Sequence, residues 1–277
     1  MVNSRMFDEN PTDSIETRNR SAYDRMARSG HVLATVATAE EMRNPLPALD
    51  GSGWLGQTIR GWNVLCLAAG GGRHSALYHA AGANVTVVDI SDGMLELDRR
   101  ISQVLRFHVR LIQATMANMP MLRDAEFDLV VQPVSTCYVT NLPPVFSEVS
   151  RILKPNGLYI SQHKNPVSLQ SSLKSREGKY VIETEQNNNA IAAKLDEPTP
   201  LREPYTIEVA HSMEMILGGI CRNGMVIEAF VEPDHINRNS PQDTIGHRSK
   251  FIPPYFRVKA RKASASNQPS QLLLPTM

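Results

Sequence analysis

Residues 63–75 read NVLCLAAGGGRHS: an apolar run of strand length, three consecutive glycines, and then residues that resume as a helix. Glycine loses more backbone entropy on folding than any other residue, so a triplet at the end of a buried strand is costly unless the backbone must come unusually close to something. Strand, glycine turn and helix form the opening unit of an open α/β sheet. Ligands of such sheets bind beyond the carboxyl ends of the strands, where the first helix offers unpaired N–H groups and a partial positive charge. Gly70, Gly71 and Gly72 are therefore candidates to let a ligand lie against bare main chain.

The chain around this unit keeps the same rhythm. WNVLCLA, NVTVVDI, FHVRLIQ, FDLVVQ and GLYISQH read as successive strands, and RHSALYHAAG, SDGMLELDRRISQVL and PPVFSEVSRIL read as helices between them. Ser91 suits the cap of the second of these helices, and Pro143 or Pro144 the first turn of the third. Strands alternating with helices at this spacing imply a doubly wound, mostly parallel α/β sheet covered on both faces. Further on, AHSMEMILGGICRNG predicts a helix ending at Gly224, and MVIEAFV and YFRVKARK predict strands.

Outside this core the reading is coarser. Residues 1–16 are polar and unpatterned and are expected to be disordered, as is the tail 264–277. Residues 17–61 are expected to form a helical cap and linker: TRNRSAYDRMARSG is a helix closed by Gly30, VLATVATAEEM is a candidate second helix, and NPLPALDGSG reads as a loop. Residues 62–263 make the α/β domain, with a polar insertion over about 169–205 that has room for a short hairpin.

Bulk properties exclude several classes. With 29 basic and 28 acidic residues the formal charge is +1, which leaves no electrostatic footprint for a nucleic acid or an anionic membrane. There is no secretory leader and no eighteen-residue apolar run, so a cytoplasmic protein is expected. Cys66, Cys137 and Cys221 lie far apart without a CxxC pair, which suggests neither a disulfide framework nor a metal site. Nothing in the sequence fixes an oligomeric state.

Asp89 ends the second strand, where a carboxylate can accept hydrogen bonds from both hydroxyls of a ribose. Glycine turn and acid together predict an adenosine-containing ligand. A nicotinamide dinucleotide fits only in part, because the GxGxxG pattern meets Gly70 and Gly72 but has Ser75 in its last position.

The motifs in order resemble a class I S-adenosylmethionine-dependent methyltransferase. VLCLAAGGG occupies the place of that family's first motif and VTVVDIS that of the second; LIQATMANMPMLRDAEFDLVV is similar to the third and fourth, and ILKPNGLYIS to the LKPGG segment before strand five. The variant LCLA-x-GGG is similar to a branch of bacterial methyltransferases. The resemblance implies a Rossmann-like sheet of seven mostly parallel strands with an antiparallel C-terminal hairpin strand, and S-adenosyl-L-methionine as cofactor. It places Ala68, Gly70, Gly71, Gly72, Asp89, Ile90, Thr115, Met116 and Gln132 around that cofactor. Cys66 stands where the family usually has an acid directed toward the methionine amino group, and Thr115 where an Asp often faces the adenine, so cofactor binding weaker than typical is expected.

Methyl transfer is an in-line displacement at an already activated carbon, which mainly requires alignment of the acceptor and exclusion of water. An acceptor that must lose a proton also needs a base. His163, at the end of strand five, and His211, before the next helix, are the candidates, against the commoner alternative of satisfied structural histidines. Ser135 and Tyr138, in the segment after strand four, and Tyr23, on the first helix, are candidate substrate-facing groups. Cys137 lacks the proline-cysteine context of cytosine-5 methyltransferases, and the NPPY-type segment of amine methylators is absent; both point toward a small-molecule acceptor. A nicotinamide-dependent oxidoreductase and a non-catalytic S-adenosylmethionine-binding protein are the rival readings.

Overall fold

The computed structural model describes residues 14–30, 36–185, 190–191, 201–203 and 205–264. Strands β1 (Asn63–Leu67), β2 (Asn84–Asp89), β3 (Val109–Gln113), β4 (Phe127–Gln132) and β5 (Leu153–Lys164) form the parallel part of a seven-stranded sheet. A separate two-stranded piece pairs β6 (Ala190–Ile191) with β7 (Val209–Ala210). Strands β8 (Met225–Val231) and β9 (Tyr255–Lys262) complete the large sheet, whose order is β3-β2-β1-β4-β5-β9-β8 with β9 antiparallel to both its neighbours. The doubly wound sheet with its antiparallel C-terminal strand pair is the one the sequence implied.

Position in the sheet explains composition. Strand β1 is central, between β2 and β4, so both its faces are covered and Val64 to Leu67 are all buried, which is why it reads as continuous rather than alternating apolar residues. Two apolar layers cover the sheet. One gathers Leu65, Leu67, Val130, Phe146, Ile152 and Phe256; the other Val64, Cys66, Tyr78, Val87 and Leu129. Alternate residues of β1 serve opposite layers, as the pleat demands.

Helix α1 (Ile15–Ser29) starts from Ser14, whose hydroxyl accepts the Thr17 N–H, and stops at Gly30 in the left-handed region. It begins inside the stretch expected to be disordered; residues 1–13 lie outside the described residues. NPLPALDGSG is not simply a loop. After α2 (Ala39–Arg43), Pro45–Leu49 forms a short helix, α3. Pro45 and Pro47 fall in its first turn, where a missing N–H has no intrahelical partner to lose. The candidate helix over VLATVATAEEM is realised as α2 alone, with residues 31–35 outside the described residues.

Helices α4 (Arg73–Ala80), α5 (Asp92–Leu105) and α6 (Pro143–Ile152) match the predicted segments. The insertion opens with α7 (Pro166–Gln170) and a small hairpin bridged at Ser171 to Ile182 and at Arg176 to Lys179. The predicted helix ending at Gly224 is a π-helical turn, Glu214–Gly218, running into α8 (Gly219–Arg222). A Cβ at Gly219 would lie 2.7 Å from the Phe146 ring, so glycine is what lets this segment pack on α6. Helix α9 (Ile245–Arg248) precedes β9.

Candidate active site

The parallel strands end together. Leu67 pairs with Val88 and Asp89 with Gln113, so the turns that follow converge on one cleft at the carboxyl edge of the sheet. Leu67, Ala68, Val88, Asp89, Ile90, Ala114, Thr115 and Met116 form its floor, and its volume, open mouth included, is about 570 Å³. Val134, Ser135, Tyr138 and Val139, after β4, form one wall; Glu16, Asn19 and Tyr23 of α1 form the roof.

The three glycines shape this floor from behind. A Cβ on Gly70 would lie 2.8 Å from Met94 Cβ and 2.9 Å from Asp89 Oδ2, and one on Gly72 would lie 3.2 Å from Ile101. Gly71 and Gly72 have φ of 122° and 89°. The bareness of Gly70 and Gly72 thus makes room for Asp89 and for α5. Ala68 is the member of this turn that lines the cleft, itself at φ 49°.

Asp89 is held at both oxygens, Oδ2 by the Gly70 N–H and Oδ1 by the Ser91 N–H, each at 2.9 Å. Burial pushes its carboxyl up, opposed by the N–H groups of Ser91, Gly70 and Ile90. Each carboxylate oxygen retains an acceptor direction, and the side chain borders the cleft. Thr115 accepts weakly from the Ala117 N–H at 3.4 Å. Gln132, expected beside the cofactor, is buried and is not among the lining residues of the cleft; it donates to Ser135 Oγ at 2.8 Å and accepts the Tyr159 hydroxyl at 2.5 Å.

The two histidines differ. His163 is fully buried with both nitrogens engaged, Nδ1 by Thr136 Oγ1 at 2.9 Å and Nε2 by Ser161 Oγ at 2.8 Å, and it stacks on Phe256. Burial holds its pKa down at about 3. His211 donates from Nε2 to the Val139 carbonyl at 2.7 Å, while its buried Nδ1 has no hydrogen-bond partner among the described residues. Burial lowers its pKa too, so the imidazole is neutral with Nδ1 as the acceptor.

Behind the wall stands a polar cluster that the sequence did not signal. Lys164, buried at the end of β5, donates to the Leu201 carbonyl at 2.8 Å, to Glu203 at 3.0 Å and to Glu208. The Tyr138 hydroxyl donates to the same Glu203 oxygen. Burial would lower the Lys164 pKa, but Glu203 and Glu208 hold it above its ordinary value. Burial pushes up the Cys137 thiol, which makes it a packed neutral group. Tyr23 meets Tyr138 edge to face at 5.5 Å.

Helix α1 is fastened over the cleft by residues that sequence reading missed. Asn19 donates to the carbonyls of Tyr138 (3.2 Å) and Ile207 (2.9 Å) and accepts the Ile207 N–H (2.7 Å). Asp24 accepts the Ser91 hydroxyl (2.6 Å) and the Gly93 N–H (3.0 Å) at the start of α5. A signal for Asn19 was present: it is the polar member of the buried stripe Asn19, Ala22, Met26. The partner of Asp24 has no such signature.

Comparison with known proteins agrees with this geometry. Residues 65–161 match the methyltransferase domain family. The chain is 33% identical over 189 residues to the uncharacterized methyltransferase YbaJ of Bacillus subtilis, an alignment covering 63% of this chain and 69% of that protein. It is 35% identical over 99 residues to the demethylmenaquinone methyltransferase of Clavibacter sepedonicus, covering 36% and 40%. In fold it is similar to an S-adenosylmethionine-dependent methyltransferase from Listeria monocytogenes, with a TM-score of 0.59 and 18% identity over 75% of this chain and 93% of that one. These matches do not favour a nicotinamide oxidoreductase or a non-catalytic binder. The floor fits the cofactor they imply, with a buried acid bordering the cleft beside a turn whose glycines bring Asp89 into place. The chain belongs to the class I S-adenosylmethionine-dependent methyltransferases, and it is an enzyme that uses S-adenosyl-L-methionine as its cofactor.

Proposed function

We propose that the enzyme methylates a small organic acceptor held between the floor and the roof of the cleft. The observation that carries this is the roof: α1 lies across the carboxyl edge of the sheet, pinned by Asn19 to the backbone at Tyr138 and Ile207, so that the cleft beneath it is covered and narrow. A polymer strand would need an open groove. The near-neutral charge supports the same reading, as does the small-molecule substrate in the name of the Clavibacter relative.

The bound cofactor supplies a methyl group on a sulfonium, a carbon already primed for displacement. Asp89 is proposed to accept hydrogen bonds from the ribose hydroxyls, with Ile90, Thr115 and Met116 beside the adenine and Ala68 near the amino-acid end. Gln132 supports the floor through Ser135 and Tyr159, a role one layer removed from ligand. Ser135, Tyr138 and Tyr23 face the acceptor space. Where the acceptor must lose a proton, His211 is the less committed of the two imidazoles, because its Nδ1 has no hydrogen-bond partner among the described residues, whereas His163 has both nitrogens engaged.

The test is to incubate the full chain with labelled S-adenosylmethionine and a fractionated extract of metabolites, and separately with RNA and protein fractions, following transfer of the labelled methyl. Label entering the low-molecular-mass fraction supports the proposal. Label confined to RNA or protein overturns it.

A further inference from the structure

The glycine turn rests on a second carboxylate that belongs to none of the motifs. Asp98 of α5 is fully buried; its Oδ2 accepts the Gly71 N–H at 2.9 Å and its Oδ1 accepts the Ser75 hydroxyl from the first turn of α4. It falls on the buried stripe of α5 formed by Met94, Leu95, Asp98 and Ser102, where packing alone calls for an apolar side chain. Its partners among the described residues are N–H and O–H donors rather than a cation, an expensive arrangement for a buried ion. A site that keeps such a group despite that cost has a use for it.

The backbone beside it gives the use. Ala68 is held at φ 49°, a conformation costing a non-glycine residue on the order of 1–3 kcal/mol unless its surroundings over-determine it. Three amide anchors do so: Ala68 N–H to the Val88 carbonyl (2.7 Å), Gly70 N–H to Asp89 and Gly71 N–H to Asp98. Strand β1 supplies no acid here. Cys66 is buried on the Asp98 side, and burial, with the Asp98 charge adding to it, keeps its thiol protonated.

We propose that Asp98 is a positioning residue for cofactor binding, fixing from α5 the main chain between Ala68 and Gly72 that borders the cofactor site, in a chain whose first strand carries Cys66 where an acid is usual. This rests on the S-adenosylmethionine reading of the cleft. Asp98 does not touch the ligand; it acts through Gly71 and Ser75. The groups facing it are Asp89 from β2, Cys66 from β1, Ser75 from α4 and the N–H groups of Gly71 and Gly72. Burial pushes its pKa up to about 6, with Asp89 adding to the rise and Ser75 and Gly71 opposing it. Its charge is therefore present at pH 7.5 and lost below about 6.

The test measures S-adenosylhomocysteine affinity by calorimetry on the full chain, for wild type, Asp98→Asn and Ser75→Ala, from pH 7.5 to 5.5. Asp98→Asn is expected to bind at least tenfold more weakly at pH 7.5 while remaining folded by circular dichroism, with a smaller loss for Ser75→Ala. The ratio between wild type and Asp98→Asn should close toward one as the pH falls through about 6, since a protonated Asp98 resembles the amide. Equal affinity of folded Asp98→Asn and wild type, or a ratio constant with pH, overturns the inference and leaves the cofactor reading intact. A wild type that does not bind S-adenosylhomocysteine overturns both. If Asp98→Asn does not fold, the Gly71 amide resonance of wild type decides. Ligand must shift its titration midpoint downward, because binding favours the ionised brace; an unmoved midpoint refutes the inference.

Discussion

The floor and the roof of the cleft are built on opposite plans. The floor comes from turns after successive parallel strands, and its bonds join neighbouring segments: Gly70 to Asp89, Gly71 to Asp98, Ser91 to Asp89. The roof and wall are joined by bonds between distant segments, Asn19 to Ile207, Tyr138 to Glu203 and Lys164 to Glu208. Chemically the floor is amide donors around two acids, whereas the wall is a buried lysine shared by two glutamates. On the proposed function the floor serves the cofactor and the roof and wall the acceptor, and there the chain has used contacts that only the completed fold brings together.

The sharpest way to break the comparison is Lys164→Met. It leaves Glu203 buried without its lysine and Glu208 with Arg202 alone, at 3.5 Å, and loss of one partner of a buried pair costs about 3–5 kcal/mol. Urea unfolding should show that loss, while the folded fraction keeps its affinity for S-adenosylhomocysteine to within a few-fold. A collapse of cofactor affinity would mean that floor and wall are one unit. Asp89→Ala is the converse. Hydrogen bonds to a charged acceptor are worth about 1.5–3 kcal/mol each, so calorimetry should give affinity at least tenfold weaker; unchanged affinity would remove Asp89 from the site.

Asn19→Ala tests the fastening between the halves. It deletes three hydrogen bonds and strands buried backbone groups at Tyr138 and Ile207, a cost of about 1–3 kcal/mol for each group left unsatisfied. Amide exchange in α1 should rise, and cofactor dissociation should quicken, with little change in the exchange of β1 and β2. If α1 stays protected, Asp24 on Ser91 and Gly93 is the stronger fastening.

The same contrast explains what the sequence could tell. Floor residues announce themselves because a turn after a strand needs particular backbone, and Gly70 to Gly72 with Asp89 form a local pattern. Even there the inferred cause was incomplete: Gly72 faces Ile101 and the Leu97 carbonyl, so a side chain at that position strains the α5 contact, and Gly72→Val would damage the fold before it reached the ligand. Asp98 was visible only as an acid on an apolar stripe, a sign that something polar is buried but not what it holds. Glu203 lies in the stretch that reads as a polar insertion and Glu208 just beyond it, and only tertiary packing turns them into a buried pair for Lys164. The helix at Pro45–Leu49 was missed because proline was read as a breaker, although in a first turn it is compatible with helix.

The smallest effect is expected at His163, and it separates a histidine of the fold from one of the chemistry. His163→Gln can keep one of two hydrogen bonds, so a stability loss of about 1 kcal/mol is expected at neutral pH, with methyl transfer within about twofold of wild type because neither nitrogen is free to move a proton. The pH dependence carries the stronger signature. An ordinary imidazole near 6.5 in the unfolded chain and one near 3 in the folded protein mean that, between those values, the unfolded state binds a proton that the folded state refuses. Wild type therefore loses stability as the pH falls below about 6.5, by about 1.4 kcal/mol per pH unit for this one group. His163→Gln should lack that component, so its acid limb is shallower by one proton and the two stability curves converge on acidification. Retention of the full slope in the variant would place the titrating group elsewhere, and a large fall in methyl transfer at neutral pH would return His163 to the chemistry.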